Sequence, residues 1–303
     1  MSFNAIRLFI KLSRPLFLLG AALVYALGVG IAHYLGASIG WGLYILGQAW
    51  VTTLQLATHY FNEYFDAPAD AANQNRTFFS GGSGALGEAG LPREIALWAG
   101  IAALTAATSF TIMIMRTVGL NPALLLTMVL IFFGAIFYSM PPIRLAESGY
   151  GELTTSILVA SLVPALAFIL QYGKLHRLVA MSTFPLIALH LAMMLAFELP
   201  DYAVDLKYEK QTLMVRLGWE RGMQLHNILI LSAYLLIGVA MLLGYPTSIA
   251  IPALLSLPLG LFQIWYMTRI AGGAKPNWNL LGGLAVLVFG VTAYLITFSF
   301  WIR

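Results

Sequence analysis

Nine stretches of about 20 predominantly apolar residues punctuate the chain, at 15–35, 41–65, 94–115, 121–139, 150–172, 177–199, 221–244, 247–270 and 278–301. Between them lie short connections and two longer polar segments, near 66–93 and 200–220. The pattern predicts an all-α polytopic bundle of about nine transmembrane helices around a central cavity, in one integral-membrane domain over residues 1–303. The opening MSFNAIRLFIKLSRP spreads Arg7, Lys11 and Arg14 among apolar residues. It reads as a short interfacial amphipathic segment rather than a cleavable signal peptide.

Composition agrees. Of 303 residues, 60% are hydrophobic and only 9% charged, whereas a soluble domain carries about 25% charged residues. Cysteine is absent, which excludes disulfides, thiolate metal sites and cysteine nucleophiles. A net charge of +4 without an extended basic surface gives no case for nucleic acid. With the N-terminus inside, twelve of the sixteen Lys and Arg fall on the cytoplasmic side. That bias predicts an inner or plasma membrane protein with cytoplasmic active-site loops. All twelve acids, from Glu63 and Glu88 to Glu220, fall on or near the same face. Acids contribute little to topology, so this asymmetry points to a functional surface.

The acids form two clusters. In FNEYFDAPADAANQNRT, residues 61–77, Asn62, Asp66 and Asp70 recur every four residues at a helix end, within about 80° of one another on a continuous helix. Pro68 disfavours helix at Ala67 and removes a backbone donor, which predicts an inward-facing Asp66 and an Asp70 on the loop just beyond. In FELPDYAVDLKYEKQTLMVRLG, residues 197–218, Glu198, Asp201 and Asp205 share one helical face. Pro200 either kinks the sixth span or begins a resumed helix. Carboxylates from two helix ends make an oxygen-only site, the preference of hard cations. Mg²⁺ in particular bridges carboxylates to substrate phosphates. Arg76, Arg144, Lys207 and Lys210 nearby suit a phosphate, so the whole suggests a diphosphate site at a membrane surface.

NEYFDAPAD (62–70) resembles the first aspartate-rich motif, N-x-x-x-D-x-x-x-D, of the UbiA superfamily of membrane prenyltransferases. PDYAVDLKYEKQTLMVRLG (200–218) resembles the second, and YSMPPIRL (138–145) is similar to the segment after the fourth span. RTFFSGGSGAL (76–86) and the Pro-Asp-Tyr start of the second motif look most like the menaquinone branch, which prenylates 1,4-dihydroxy-2-naphthoate. There are two departures. Glu209 stands where the family usually has Gly before the lysine, and Pro68 interrupts the first motif.

The resemblance implies transfer of a polyprenyl group from polyprenyl diphosphate to an aromatic acceptor within the lipid bilayer. Asp66, Asp70, Asp201 and Asp205 would hold Mg²⁺ on the diphosphate, Asn62 would add a neutral contact, and Arg76, Arg144 and Lys210 would neutralise leaving-group charge. Tyr138 would donate a hydrogen bond or face the cation, with Ser139 beside it. By position alone, His59, Lys207 and Glu198 are further candidate substrate contacts, His59 being otherwise a satisfied helix-interior histidine and Glu198 a member of a local ion pair. Rival readings are another acceptor (4-hydroxybenzoate, homogentisate or a glycerol phosphate lipid), a cation-coupled transporter, and a non-catalytic isoprenoid-binding member. Gly81-Gly82-Ser83-Gly84 reads as a flexible loop tip rather than a phosphate nest, and Met193–Met194 as packing.

Overall fold

The computed structural model describes residues 3–87 and 90–303, so Glu88 lies outside the described residues. These residues form helices and connections with no β-strand: α1 (Phe3–Leu12), α2 (Pro15–Tyr34), α3 (Trp41–Ala72), α4 (Arg93–Val118), α5 (Pro122–Phe137), α6 (Gly151–Ile157), α7 (Val163–Tyr172), α8 (Arg177–Glu198), α9 (Tyr202–Lys207), α10 (Leu213–Leu217), α11 (Trp219–Leu242), α12 (Thr247–Leu254), α13 (Leu257–Ala271) and α14 (Trp278–Trp301). The helix boundaries follow local chemistry. Pro15 and Pro122 occupy the first turns of α2 and α5, where a missing N–H costs nothing. Asn121 caps α5 through Ala123 N and Leu124 N, and Asn277 caps α14 through Leu280 N.

Among the described residues seven helices are long and apolar enough to cross a membrane. Two of these seven are composite. α6 and α7 run on through a π-helical turn at Leu158–Leu162 just ahead of Pro164, and α12 and α13 are separated at Leu255 and Ser256. The other two expected spans differ from the rest. α3 is long but carries Gln48, Gln55 and the first acidic cluster, while the apolar α5 has only 16 residues.

α8 is buried along most of its length against α6, α11 and α14, and α2 packs between α7 and α14. Close approach there depends on small residues: a Cβ at Gly28 of α2 would collide with the carbonyl of Pro164. α3 lies along α4 and extends past the packed region, so its last two turns stand beside the α8–α9 connection.

Candidate active site

α3 runs unbroken through Pro68 to Ala72, which corrects the expectation that Asp70 sits on a loop. Proline at 68 leaves the carbonyl of Tyr64 without its helical donor, and Arg93 from α4 fills the gap, its Nε donating at 2.6 Å. Its guanidinium also lies 4.2 Å from the Tyr64 ring centroid. The break that proline imposes on an isolated helix is thus offset by a tertiary bond. Asn62, Asp66 and Asp70 consequently share one face, and Asn62 Nδ2 donates to Asp66 Oδ2 at 2.9 Å.

The second cluster is built around a turn. α8 ends at Glu198, Leu199–Asp201 turn with Pro200 inside, and α9 resumes at Tyr202. Asp201 bridges back to the first half: Oδ1 accepts from Asn73 Nδ2 (2.7 Å) and Oδ2 from Gly81 N (3.0 Å). Glu209 adopts φ 57°, a left-handed conformation that favours glycine, which accounts for the glycine usual there in the resembled motif. This turn lets Lys210 N bond Asp205 O at 2.9 Å. Lys210 Nζ then reaches Asp66 Oδ2 at 3.1 Å and Asp205 Oδ1 at 4.0 Å. The carboxylates of Glu152 and Glu198 accept from Leu213 N (2.8 Å) and Met214 N (3.2 Å), anchoring the segment that carries Lys210.

The two halves close over a cavity of about 460 Å³. Asn62, Asp66, Asp70, Asp201, Asp205 and Lys210 line its polar end, with Tyr138, Glu198 and His59 also on the wall. Its body is apolar, bounded by Val51, Leu54, Ile131, Leu158 and Phe289. Met193 and Met194, expected as packing, line it too. Phe197 stacks on Phe79 (centroids 5.5 Å, 3°) and meets Phe17 edge-on at 6.0 Å, which gives the cavity an aromatic flank.

The structure does not bring every expected residue to this cavity. Arg76 braces the chain, donating to the carbonyls of Asp70 (2.6 Å) and Gly81 (2.7 Å). Arg144 pairs with Glu147 at 3.3 Å and lies over Phe65. Lys207 is exposed and does not line the cavity, and Ser139 is buried with no hydrogen-bond partner for Oγ among the described residues. The second cation on the wall is instead Arg14, which the sequence reading left among the N-terminal bases. Arg14 pairs with the buried Glu63, whose carboxylate also takes Ser83 N (2.6 Å) and Ser83 Oγ (2.7 Å). An acid inside an apolar helix requires a counter-charge, and Glu63 was the available signal for Arg14. The Gly81–Gly84 segment is therefore no loose tip: it is tied to Asp201 and Glu63, and Ser80, Gly81 and Gly82 line the cavity.

Burial shapes the ionisation at the polar end. It raises the Asp205 carboxyl to about 7, against the pull of Lys210 and with added repulsion from Asp201 and Asp66. It raises Asp201 to about 6, with Asn73 and Gly81 partly offsetting it. Burial also works against the Lys210 ammonium, but Asp66 and Asp205 outweigh it and hold its pKa above the ordinary value. Among the described residues no three His, Asp or Glu side chains stand close enough together to enclose a metal on their own. Asp66 is turned to Asn62 and Lys210, and Asp201 to Asn73 and Gly81. Asp70 and Asp205 also line the cavity, and among the described residues their carboxylates accept no hydrogen bond, Lys210 Nζ standing 4.0 Å from Asp205 Oδ1. An oxygen-only donor set with open carboxylates fits a hard cation that keeps waters and takes further ligands from a phosphate.

The model of the UbiA prenyltransferase family matches residues 22–281. The chain belongs to the UbiA prenyltransferase family. No curated protein matches it in sequence. As a UbiA family member with seven apolar membrane-length helices among its described residues, it is an integral membrane protein. Its fold is similar to a UbiA homologue from Archaeoglobus fulgidus bound to GPP and Mg²⁺, with TM-score 0.62, 17% identity, and 95% of this chain and 99% of that one covered. It is also similar to digeranylgeranylglyceryl phosphate synthase (TM-score 0.62, 14% identity, 99% and 98% covered). A UbiA homologue from Aeropyrum pernix K1 aligns with TM-score 0.57 and 15% identity over 89% of this chain and 96% of that one.

Proposed function

We propose that this UbiA family member transfers a polyprenyl group from polyprenyl diphosphate to an aromatic acceptor, 1,4-dihydroxy-2-naphthoate, in menaquinone biosynthesis. The observation that carries this reading is the meeting of two acidic segments, 62–70 and 201–205, with Lys210 at the mouth of an apolar cavity. The polar end suits a diphosphate and the apolar body suits an isoprenoid tail. Residues 76–86 and the Pro-Asp-Tyr of 200–202 support the naphthoate, and the Phe79–Phe197–Phe17 flank suits a flat ring. The likeness to digeranylgeranylglyceryl phosphate synthase favours a glycerol phosphate acceptor as the second reading. The domain is taken to span residues 1–303, with the acidic mouth on the cytoplasmic side.

Asp66, Asp70, Asp201 and Asp205 would hold Mg²⁺, as the GPP- and Mg²⁺-bound homologue suggests. The metal, when bound, supplies positive charge to the leaving diphosphate oxygens. Lys210 and Arg14 add charge from the cavity wall, and Asn62 orients Asp66. Departure of diphosphate from an allylic carbon leaves a cation that water would quench, so the apolar body also protects the reaction. Tyr138 and the phenylalanine rings offer π-faces to that cation.

The test incubates membranes containing the protein with Mg²⁺, a labelled prenyl diphosphate and a panel of aromatic and glycerol phosphate acceptors, and identifies products by mass. A prenylated, decarboxylated naphthoate is expected; a prenyl ether of glycerol phosphate would select the second reading. Gly82 offers a further check. It has φ +75°, and a Cβ there would collide with the Asp70 carboxylate. Gly82→Ala should lower turnover by up to about 10²-fold through misplacement of Asp70. The strained backbone should cost about 1–2 kcal/mol in a melting experiment.

A further inference from the structure

We propose that His59 is the catalytic base that takes the hydroxyl proton of the acceptor, through Nε2. The inference rests on the prenyl-transfer reading but not on which hydroxyl-bearing acceptor is used.

His59 lies on the face of α3 that carries Asn62, Asp66 and Asp70, at offsets of three, seven and eleven residues. It is therefore about one turn inside the polar mouth, where the diphosphate end gives way to the apolar body. The backbone carbonyl of Ser13 stands 3.2 Å from Nδ1. A carbonyl oxygen can only accept, so Nδ1 carries the hydrogen, and in the neutral ring Nε2 carries the lone pair. No protein group among the described residues donates to that nitrogen, and the ring lines the cavity. Phe17 holds the imidazole edge-on at 6.1 Å. Tautomer and orientation are thus set before any substrate arrives.

The charged groups that face this ring are already engaged. Arg14, from the start of α2, is paired with Glu63 of α3, and Lys210 with Asp66. Asp66 and Asp70 lie further out on the same helix and are assigned to metal and diphosphate. His190 also presents an Nε2, because Ser156 Oγ donates to Glu152 O and so accepts from His190 Nδ1. Its ring, however, packs edge-on to Phe289 at 5.0 Å, in the apolar body two turns before Glu198. Of the two, His59 is the histidine nearer the acidic end along its helix, one turn before Asn62.

In the proposed step the bond between the allylic carbon and the diphosphate oxygen breaks, and its electron pair leaves with diphosphate. The acceptor O–H gives its proton to His59 Nε2, and the freed pair is delocalised into the ring. A ring carbon then bonds to the allylic carbon. With a hydroxynaphthoate, the carboxylate at that carbon leaves as CO₂, its bonding pair restores the aromatic ring, and the resulting naphtholate oxygen takes a proton back. With a glycerol phosphate, the hydroxyl oxygen itself forms the new bond. The imidazolium returns its proton to solvent as products leave.

The test compares His59→Asn and His59→Gln in purified protein. Asparagine places an amide N–H near Nδ1 and can keep the Ser13 bond, but it offers no base. Both variants should bind prenyl diphosphate with KM within about threefold of the parent, while kcat for transfer falls by about 10²–10⁴-fold. Added imidazole should restore part of the turnover of His59→Ala. Turnover by His59→Asn within about threefold of the parent would overturn the proposal. So would a loss confined to KM for the prenyl diphosphate. If the parent protein yields no prenylated product from any acceptor, the prenyl-transfer reading itself fails, a result visible before any variant is compared.

Discussion

Asp201→Ala protein should fold, retain its helical content, and lose Mg²⁺-dependent prenyl transfer by about 10³-fold or more, a loss expected when charge stabilisation of the leaving group is removed. Two roles meet at this side chain. Its oxygens accept from Asn73 Nδ2 and Gly81 N, tying the strand of chain after α3 to the turn after α8. Its charge, with that of Asp205 about one helical turn further on, lines the same cavity as Asp66 and Asp70. Asp201→Asn separates these roles, since the amide oxygen still accepts from Asn73 while the negative charge is gone. It should be nearly as inactive as the alanine variant but closer to the parent in melting temperature. Asp66→Ala should lose transfer to the same extent, and it also deprives the buried Lys210 of its nearest partner, at 3.1 Å. Stranding a buried charge is destabilising, so Asp66→Ala should melt lower than Asp201→Asn. Turnover rates unchanged in both would remove these carboxylates from the reaction.

Metal binding should be strongly pH-dependent, and its sign follows from burial. Asp201 and Asp205 are raised in the folded protein to about 6 and about 7, above the ordinary carboxylate value of about 3.9. Between roughly pH 4 and pH 7 the folded metal-free protein therefore binds more protons than the unfolded chain, and stability from these groups falls as pH rises through that window. At pH 8 both carboxylates are charged and mutually repelling, which is the state that a divalent cation relieves. Protons and Mg²⁺ thus compete. Apparent Mg²⁺ affinity should drop by about tenfold per pH unit for each proton displaced as pH falls below 7. At a concentration of about 100 Kd the metal should stabilise the protein by about 2.7 kcal/mol at pH 8, and this stabilisation should vanish near pH 5. Melting curves at the two pH values, with Mg²⁺ and with EDTA, measure the difference. A metal-induced shift of equal size at both would contradict the assignment of Asp201 and Asp205 as ligands.

Much of the architecture was legible because membrane helices announce themselves through length and hydropathy alone. The expected stretches at 15–35, 177–199 and 278–301 correspond to α2, α8 and α14. The acidic residues were legible for a related reason: carboxylates at the ends of apolar helices are costly, so their spacing carries information. Three other features were misread. Pro68 appeared to end α3, but Arg93 supplies the donor that proline removes. Arg76 and Arg144 lie near the acids in sequence or in motif, yet one braces backbone carbonyls and the other pairs with Glu147. The Gly81–Gly84 segment looked flexible by composition, whereas Asp201 and Glu63 bind its amides.

The amino-acid sequence alone determined the lipid environment, the helical class and the presence of two oxygen-rich helix ends, because each depends on local composition and on a period of 3.6 residues. Only the tertiary structure decided which cations meet those acids. Lys210 reaches Asp66 across 144 positions of chain, and Arg14 rather than Arg76 lines the cavity. Charge pairing in a buried cavity depends on how helix ends are stacked in space, and hydropathy contains no term for that. The same holds for His59: its position on α3 was readable, but the carbonyl of Ser13 that sets its tautomer comes from the turn between α1 and α2.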